Sequence, residues 1–191
     1  MSPYGQKQDF AIATLGGGCF WCLEVFFEQL NGVISVLPGY CGGMLSSPSY
    51  RDICRGDTGH AEVVQIHFDP ARIDYSTLLD VFFAIHDPTT PNRQGHDVGS
   101  QYRSLIVCHS SEQQVVAERA IQSFNQENPR GPHAVTEILA EQTFYPAEDY
   151  HRRYYREKPE QAYCQVVITP KLNKLRKAFK ALLRQDEAGH T

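Results

Sequence analysis

An α+β domain with a mixed β-sheet and helices packed against it is the fold this sequence predicts. Three observations lead there. Strand-like and helix-like segments alternate along the chain, but several of the connections are short or irregular. Glu62–Asp69 alternates with period two, setting Val64, Ile66 and Phe68 on one face and Val63, Gln65 and His67 on the other. Leu23, Phe26, Phe27 and Leu30 recur instead at helical spacing.

Phe10–Leu15 reads as a short buried strand that runs into Gly16-Gly17-Gly18, and Phe20–Leu30 reads as a helix. Val33–Tyr40 reads as a second strand, followed by a glycine- and serine-rich loop over Cys41–Ser49. Tyr75–His86 reads as a helix, with Asp74 as N-cap and Leu78, Leu79, Phe82 and Phe83 on its apolar face. Asp87–Arg103 has no period, and a structureless loop of that length in a small domain is often functional. Ser104–Cys108 reads as a strand, Ser111–Glu127 as a helix capped by Ser110 or Ser111, and Thr136–Ala140 as a strand. Glu148–Arg156 reads as a helix, and Tyr163–Ile168 is rich in β-formers. Pro170 then opens a basic amphipathic helix over Lys171–Leu183.

The 191 residues, 41% of them hydrophobic, suit one domain over 1–191 with polar tails at about 1–9 and 184–191. A net charge of −4 gives no electrostatic reason to expect nucleic acid or a membrane as partner. No apolar run is long enough to span a bilayer. Met1–Asp9 is polar and lacks the apolar stretch of a signal peptide. The expectation is a cytoplasmic monomer. Thiols are kept reduced in that compartment, so six cysteines point to catalysis or metal binding rather than to a disulfide framework.

Cys19-Phe20-Trp21-Cys22 sits where the glycine turn passes into a helix. Helix-terminal N–H groups favour an anion, so a thiolate at Cys19 gains stability and its pKa is expected below the free value. Cys22 lies about one turn on, within reach of a disulfide. The alternatives are two small buried side chains in a core, or half of a zinc site. Zinc needs about four ligands, yet Cys41, Cys54, Cys108 and Cys164 are scattered and form no second pair.

Gly18-Cys19-Phe20-Trp21-Cys22-Leu23-Glu24 resembles the signature of the A-type peptide methionine sulfoxide reductases. Further segments match that family in order: Gly39–Gly43, Pro48–Cys54, Gly56–Glu62, His86–Thr89, Gly95–Ser104, Phe144–Glu148 and Tyr163–Ile168. The resemblance runs from near residue 10 to near residue 180. It implies a two-layer α+β sandwich with a ferredoxin-like core. It also implies reduction of methionine S-sulfoxide, free or in oxidised proteins, with no metal or organic cofactor. Electrons would come from thioredoxin or a similar dithiol.

Sulfoxide oxygen leaves poorly until it is protonated, so a soft nucleophile must meet the sulfur while an acid meets the oxygen. The resemblance assigns the nucleophile to Cys19, which would end as a sulfenic acid. It assigns the acid to Glu62, whose pKa should rise beside an apolar pocket. Tyr50 and Tyr102, both read as lying in polar loops, would donate hydrogen bonds to the sulfoxide oxygen. Asp97 would act through water or by orienting other groups. Phe20 and Trp21 would wall the site for the substrate methyl.

Many relatives carry glycine where Cys22 stands and resolve the sulfenic acid with cysteines in a glycine-rich C-terminal tail. This chain has Cys22 and no such tail. Cys22 is therefore the favoured resolving thiol and Cys164 the second, with a relay through both left open and Cys41 third. Cys54 and Cys108 read as inert packing residues. Two rival functions share parts of the pattern: a general disulfide oxidoreductase, and a redox-sensing or metal-binding module. Neither accounts for the segments around Tyr50, Glu62 and Tyr102.

Overall fold

The computed structural model describes residues 10–185. The proposed tails therefore lie outside it, apart from Arg184 and Gln185. Arg184 is anchored: its N–H donates to the Gln29 carbonyl at 2.9 Å, and its guanidinium bonds the Val33 carbonyl.

The first half of the chain runs β1 (Ala11–Gly16), α1 (Phe20–Phe27), β2 (Val33–Cys41), α2 (Tyr50–Arg55), β3 (Ala61–Phe68) and α3 (Tyr75–Ile85). A two-residue hairpin follows, β4 (Arg93–Gln94) and β5 (Asp97–Val98). Then come β6 (Leu105–Val107), α4 (Ser111–Glu127), β7 (Glu137–Leu139), β8 (Tyr145–Pro146), α5 (Tyr154–Glu157) and α6 (Thr169–Ala178).

Among the described residues, one sheet has the order β7-β6-β1-β3-β2-β8. β3 is antiparallel to both β1 and β2, β6 is antiparallel to β1, and β7 is parallel to β6. The sheet is mixed, as expected. Within it, β1-α1-β2-β3-α3-β6 forms the split β-α-β pattern of a ferredoxin-like core, with β3 inserted between β1 and β2.

The period-two reading of β3 holds. Val64, Ile66 and Phe68 join the main core with Leu15, Phe26, Phe27, Leu78 and Phe82. Val63 faces the opposite way, into a smaller cluster with Cys41, Ala61, Leu105 and Val107. Helix α1 is buried all round except at Trp21, as its nearly continuous apolar sequence requires. Asp74 caps α3 through the Thr77 N–H, and Ser110 caps α4 through the Gln113 N–H.

Three readings need correction. Tyr50 does not lie in a loop: it opens α2, which Ser49 and Asp52 start with a capping box. Tyr102 ends a short 3₁₀ turn, Ser100–Tyr102. Tyr163–Ile168 is not a strand, because Cys164–Ile168 forms a wide π-turn that leads into α6. Its β-branched residues suggested a strand, but Pro170 has no N–H to continue an α-helical ladder. The wide turn absorbs that gap, with the Thr169 hydroxyl donating to the Cys164 carbonyl at 2.9 Å. The buried side chains Cys164, Ile168, Leu172 and Leu175 recur every three or four residues, which is a helical stripe.

Candidate active site

β1 ends at Gly16, and the chain turns into α1 through Gly17 and Gly18. Gly18 has φ +94°, and a Cβ there would lie 2.6 Å from Gln94. Gln94 is itself fixed, with its side-chain amide paired to the backbone N–H and carbonyl of Asp87 at 3.0 and 3.1 Å. The period-free Asp87–Arg103 segment thus packs beneath the turn and sets where Cys19 stands.

Cys19 is the N-cap of α1, and Cys22 lies one turn on, its N–H bonded to the Cys19 carbonyl at 3.1 Å. The two thiols are near enough for each to shift the other's pKa. Helix-start stabilisation does not win at Cys19. Burial, the neighbouring Cys22 thiol and the nearby Glu62 carboxyl push the Cys19 thiol well up, against a smaller pull from the Trp21 N–H. This reverses the lowered pKa expected from the helix start. Cys22 moves the other way: the neighbouring Cys19, and then Lys171 and Tyr163, outweigh burial and draw it down.

Glu62 projects from β3 and is 2% exposed. Its Oε2 accepts the Phe20 N–H at 3.1 Å, which brings the carboxyl to the first residue of α1. Burial pushes it up to about 8; the Phe20 N–H opposes this, while Asp97 and Cys22 add to it. Tyr50 and Tyr102 both feel the Glu62 charge, and burial holds their hydroxyls protonated. Asp97, on β5, accepts a hydrogen bond from the Tyr163 hydroxyl at 2.7 Å. Cys19, Cys22, Glu62, Tyr50, Tyr102 and Asp97 therefore form one electrostatically linked cluster.

Phe20 and Trp21 differ. Phe20 is 1% exposed and packs on Tyr40 and His151, so its ring backs the site. Trp21 is partly exposed, and its ring lies flat on Tyr154 with centroids 3.8 Å apart and planes 7° apart. Its indole N–H donates to His151 Nδ1 at 3.2 Å, leaving the His151 proton on Nε2. That nitrogen is buried without a hydrogen-bond partner, 3.9 Å from the Glu148 carboxylate. Glu148 accepts the Tyr50 N–H at 2.8 Å and the Tyr40 hydroxyl at 2.9 Å, tying α2 to β2 behind the site.

Tyr163, Glu148, His151 and Tyr154 have no assigned role in the sequence reading. Tyr163 and Glu148 lie in the matched segments, but their partners Asp97 and Tyr50 are 66 and 98 residues away. No local period carries such pairings.

The remaining cysteines separate by position. Cys164 is fully buried within electrostatic reach of Cys22. Cys41, ranked third, faces the far side of the sheet, and its thiol donates to the Thr143 carbonyl at 3.4 Å. Cys54 is not buried packing. It is exposed, because α2 turns it outward. Cys108 is buried in the main core.

The family model described as peptide methionine sulfoxide reductase matches residues 11–183. A relative from Chromobacterium violaceum, named peptide methionine sulfoxide reductase MsrA, is 55% identical over 172 residues, covering 90% of this chain and 98% of its own length. Methionine sulfoxide reductase A of Corynebacterium diphtheriae has a similar structure. Its TM-score is 0.75 at 31% identity, covering 81% of this chain and 77% of that one. Mxr1 from Saccharomyces cerevisiae in reduced form gives a TM-score of 0.74 at 32% identity, covering 83% and 91%. The yeast protein has also been solved in complex with Trx2.

Proposed function

The chain belongs to the peptide methionine sulfoxide reductase family, and from that premise we propose that it reduces the S epimer of methionine sulfoxide, free or in proteins, through a Cys19 sulfenic acid. The observation that carries this is the buried Glu62 carboxyl, bonded to the Phe20 N–H beside the paired thiols.

The Cys19 sulfur attacks the sulfoxide sulfur, and the oxygen takes one proton from the Glu62 acid and one from the Cys19 thiol. Tyr50 and Tyr102 stay protonated and donate to that oxygen as negative charge develops on it. The oxygen leaves as water, and an S–S bond joins Cys19 to the methionine sulfur. Water then attacks the Cys19 sulfur, the S–S pair leaves on methionine, and Cys19 remains as a sulfenic acid while the released proton returns to Glu62. A resting thiol with a raised pKa keeps the proton that this step delivers to the oxygen. Phe20 and Trp21 shape the apolar wall for the methyl group.

Cys22 is the proposed resolving thiol. It lies one turn from Cys19, whose proximity draws its pKa down. Its sulfur displaces water from the sulfenic acid and leaves a Cys19–Cys22 disulfide. Cys164 ranks second as resolving thiol, behind Cys22. A thioredoxin-type dithiol then reduces the disulfide, in keeping with the yeast relative's complex with Trx2. No resident metal or organic cofactor takes part in this scheme.

A single turnover without added reductant tests it. Reduced protein is mixed with both epimers of methionine sulfoxide, and methionine and residual thiols are counted. The S epimer alone is consumed, with two thiols lost. Cys19→Ser forms no methionine, because a hydroxyl is a far weaker nucleophile. Cys22→Ser forms methionine but stops at the sulfenic acid, whereas Cys164→Ser still loses two thiols. Methionine formation by Cys19→Ser would overturn the assignment.

A further inference from the structure

Glu24 takes no part in that chemistry, yet it is a buried carboxyl on the same helix as both thiols. It is 2% exposed, and burial is the largest influence on it. Its Oε1 accepts the Arg153 N–H at 2.9 Å. Arg153 has φ +52°, a left-handed conformation that a side chain other than glycine adopts at a cost. It is the residue immediately before α5. The first residue of α5 is Tyr154, whose ring lies flat on Trp21.

Trp21 and Glu24 are three residues apart on α1, so they share a face of that helix. They meet successive parts of one short segment. Trp21 takes the Tyr154 ring, and Glu24 takes the backbone that presents it. Glu28, a further turn on, pairs with Arg156 at 2.9 Å. Glu24 on α1 and Glu28 at its C-cap thus hold α5, one at its start and one near its end. A four-residue helix cannot hold its own shape, so these long-range contacts must supply it.

We propose that Glu24 is a positioning residue for the substrate pocket: it fixes the left-handed turn at Arg153, holds Tyr154 against Trp21, and so keeps the indole where it meets the sulfoxide methyl. This rests on the reading above that Trp21 lines that pocket. Loss of Glu24 leaves the Arg153 N–H without its acceptor and removes what offsets the strain at Arg153. The segment then relaxes, and the indole loses its stacking partner.

Trp21 is the protein's single tryptophan, so its emission reports on this stack alone. Glu24→Ala and Glu24→Leu, neither of which can accept a hydrogen bond, are made in the full chain and kept reduced. Without any substrate, their emission shifts to the red and acrylamide quenching increases. With methionine S-sulfoxide, KM rises about tenfold, more than kcat falls, as expected for a loosened methyl pocket. Tyr154→Leu reproduces both effects, and the Glu24→Ala/Tyr154→Leu double variant adds little to either single one. Unchanged emission and KM in folded Glu24 variants would overturn the proposal. Should Glu24→Ala fail to fold, Tyr154→Leu decides, and a wild-type KM there overturns it equally. Emission is read without substrate, so its outcome is separate from the reductase reading, which fails only if the wild-type protein forms no methionine.

Discussion

Glu62 is pushed up to about 8 because the sheet buries it, and the single N–H it accepts is too little to offset that. It therefore carries a proton at neutral pH, which is the state that can turn a sulfoxide oxygen into a leaving group. The rate of methionine formation should fall as pH rises through about 8, where this proton is lost. Glu62→Gln should slow the step by about 100-fold or more, the usual worth of a positioned acid, and should lose the falling limb. Single-turnover rates against pH check both. A retained limb in Glu62→Gln would assign it to another group. The role of Glu62 as acid came from the resemblance, but the cause of its raised pKa is visible only in the fold. An isolated glutamate at a strand start would be solvated.

Helices α3 and α4, which pack against the sheet, have capped starts. Asp74 accepts the Thr77 N–H at 2.7 Å and Ser110 accepts the Gln113 N–H at 3.2 Å. Asp74→Ala should cost about 1 kcal/mol, measured as a lower urea midpoint with an unchanged slope. Caps of this kind are legible in a sequence because donor and acceptor lie three residues apart. The Ser49–Asp52 capping box has the same spacing, and it marks α2 as the element that carries Tyr50. The π-turn at Cys164–Ile168 is not legible in that way. β-branched residues favour a strand locally, and only burial of Cys164, Ile168, Leu172 and Leu175 against the core makes the segment helical. That outcome brings Tyr163 to Asp97 and sets Lys171 to act on Cys22.

At the scale of the whole molecule, buried carboxyls couple stability to pH. Glu62 and Glu24 rise from 4.5 to about 8 and about 7 on folding, so the folded protein binds more protons than the unfolded chain between those values. Their contribution is fully present below pH 4.5 and is lost as pH climbs through 7 and 8. His86 works the other way. Burial lowers it from 6.5 to about 4, so its contribution is lost as pH falls through that range. Stability should therefore decline between pH 6.5 and 8, where His86 no longer opposes the two carboxyls. Urea unfolding across that range checks the decline, and Glu62→Gln should flatten it. A wild-type curve that rises toward pH 8 would contradict the buried state of these groups.

The sequence by itself determined the local parts: a thiol at a glycine turn that opens a helix, a second thiol one turn on, the period-two strand that carries Glu62, and the helices with their caps. Each depends on residues a few positions apart, whose sterics and hydrogen bonds act whatever the rest of the chain does. Tertiary structure decided what those parts can do. It buried Cys19 and Glu62 and so raised both, against the helix-start effect that the local sequence predicts for the thiol. It turned Cys41 to the far face and Cys54 to the surface. It also brought Tyr163, His151 and Tyr154 to the site from more than a hundred residues away in sequence from Cys19, Phe20 and Trp21. Desolvation and long-range contact depend on which surfaces meet, and that is settled only when the sheet and its helices close on one another.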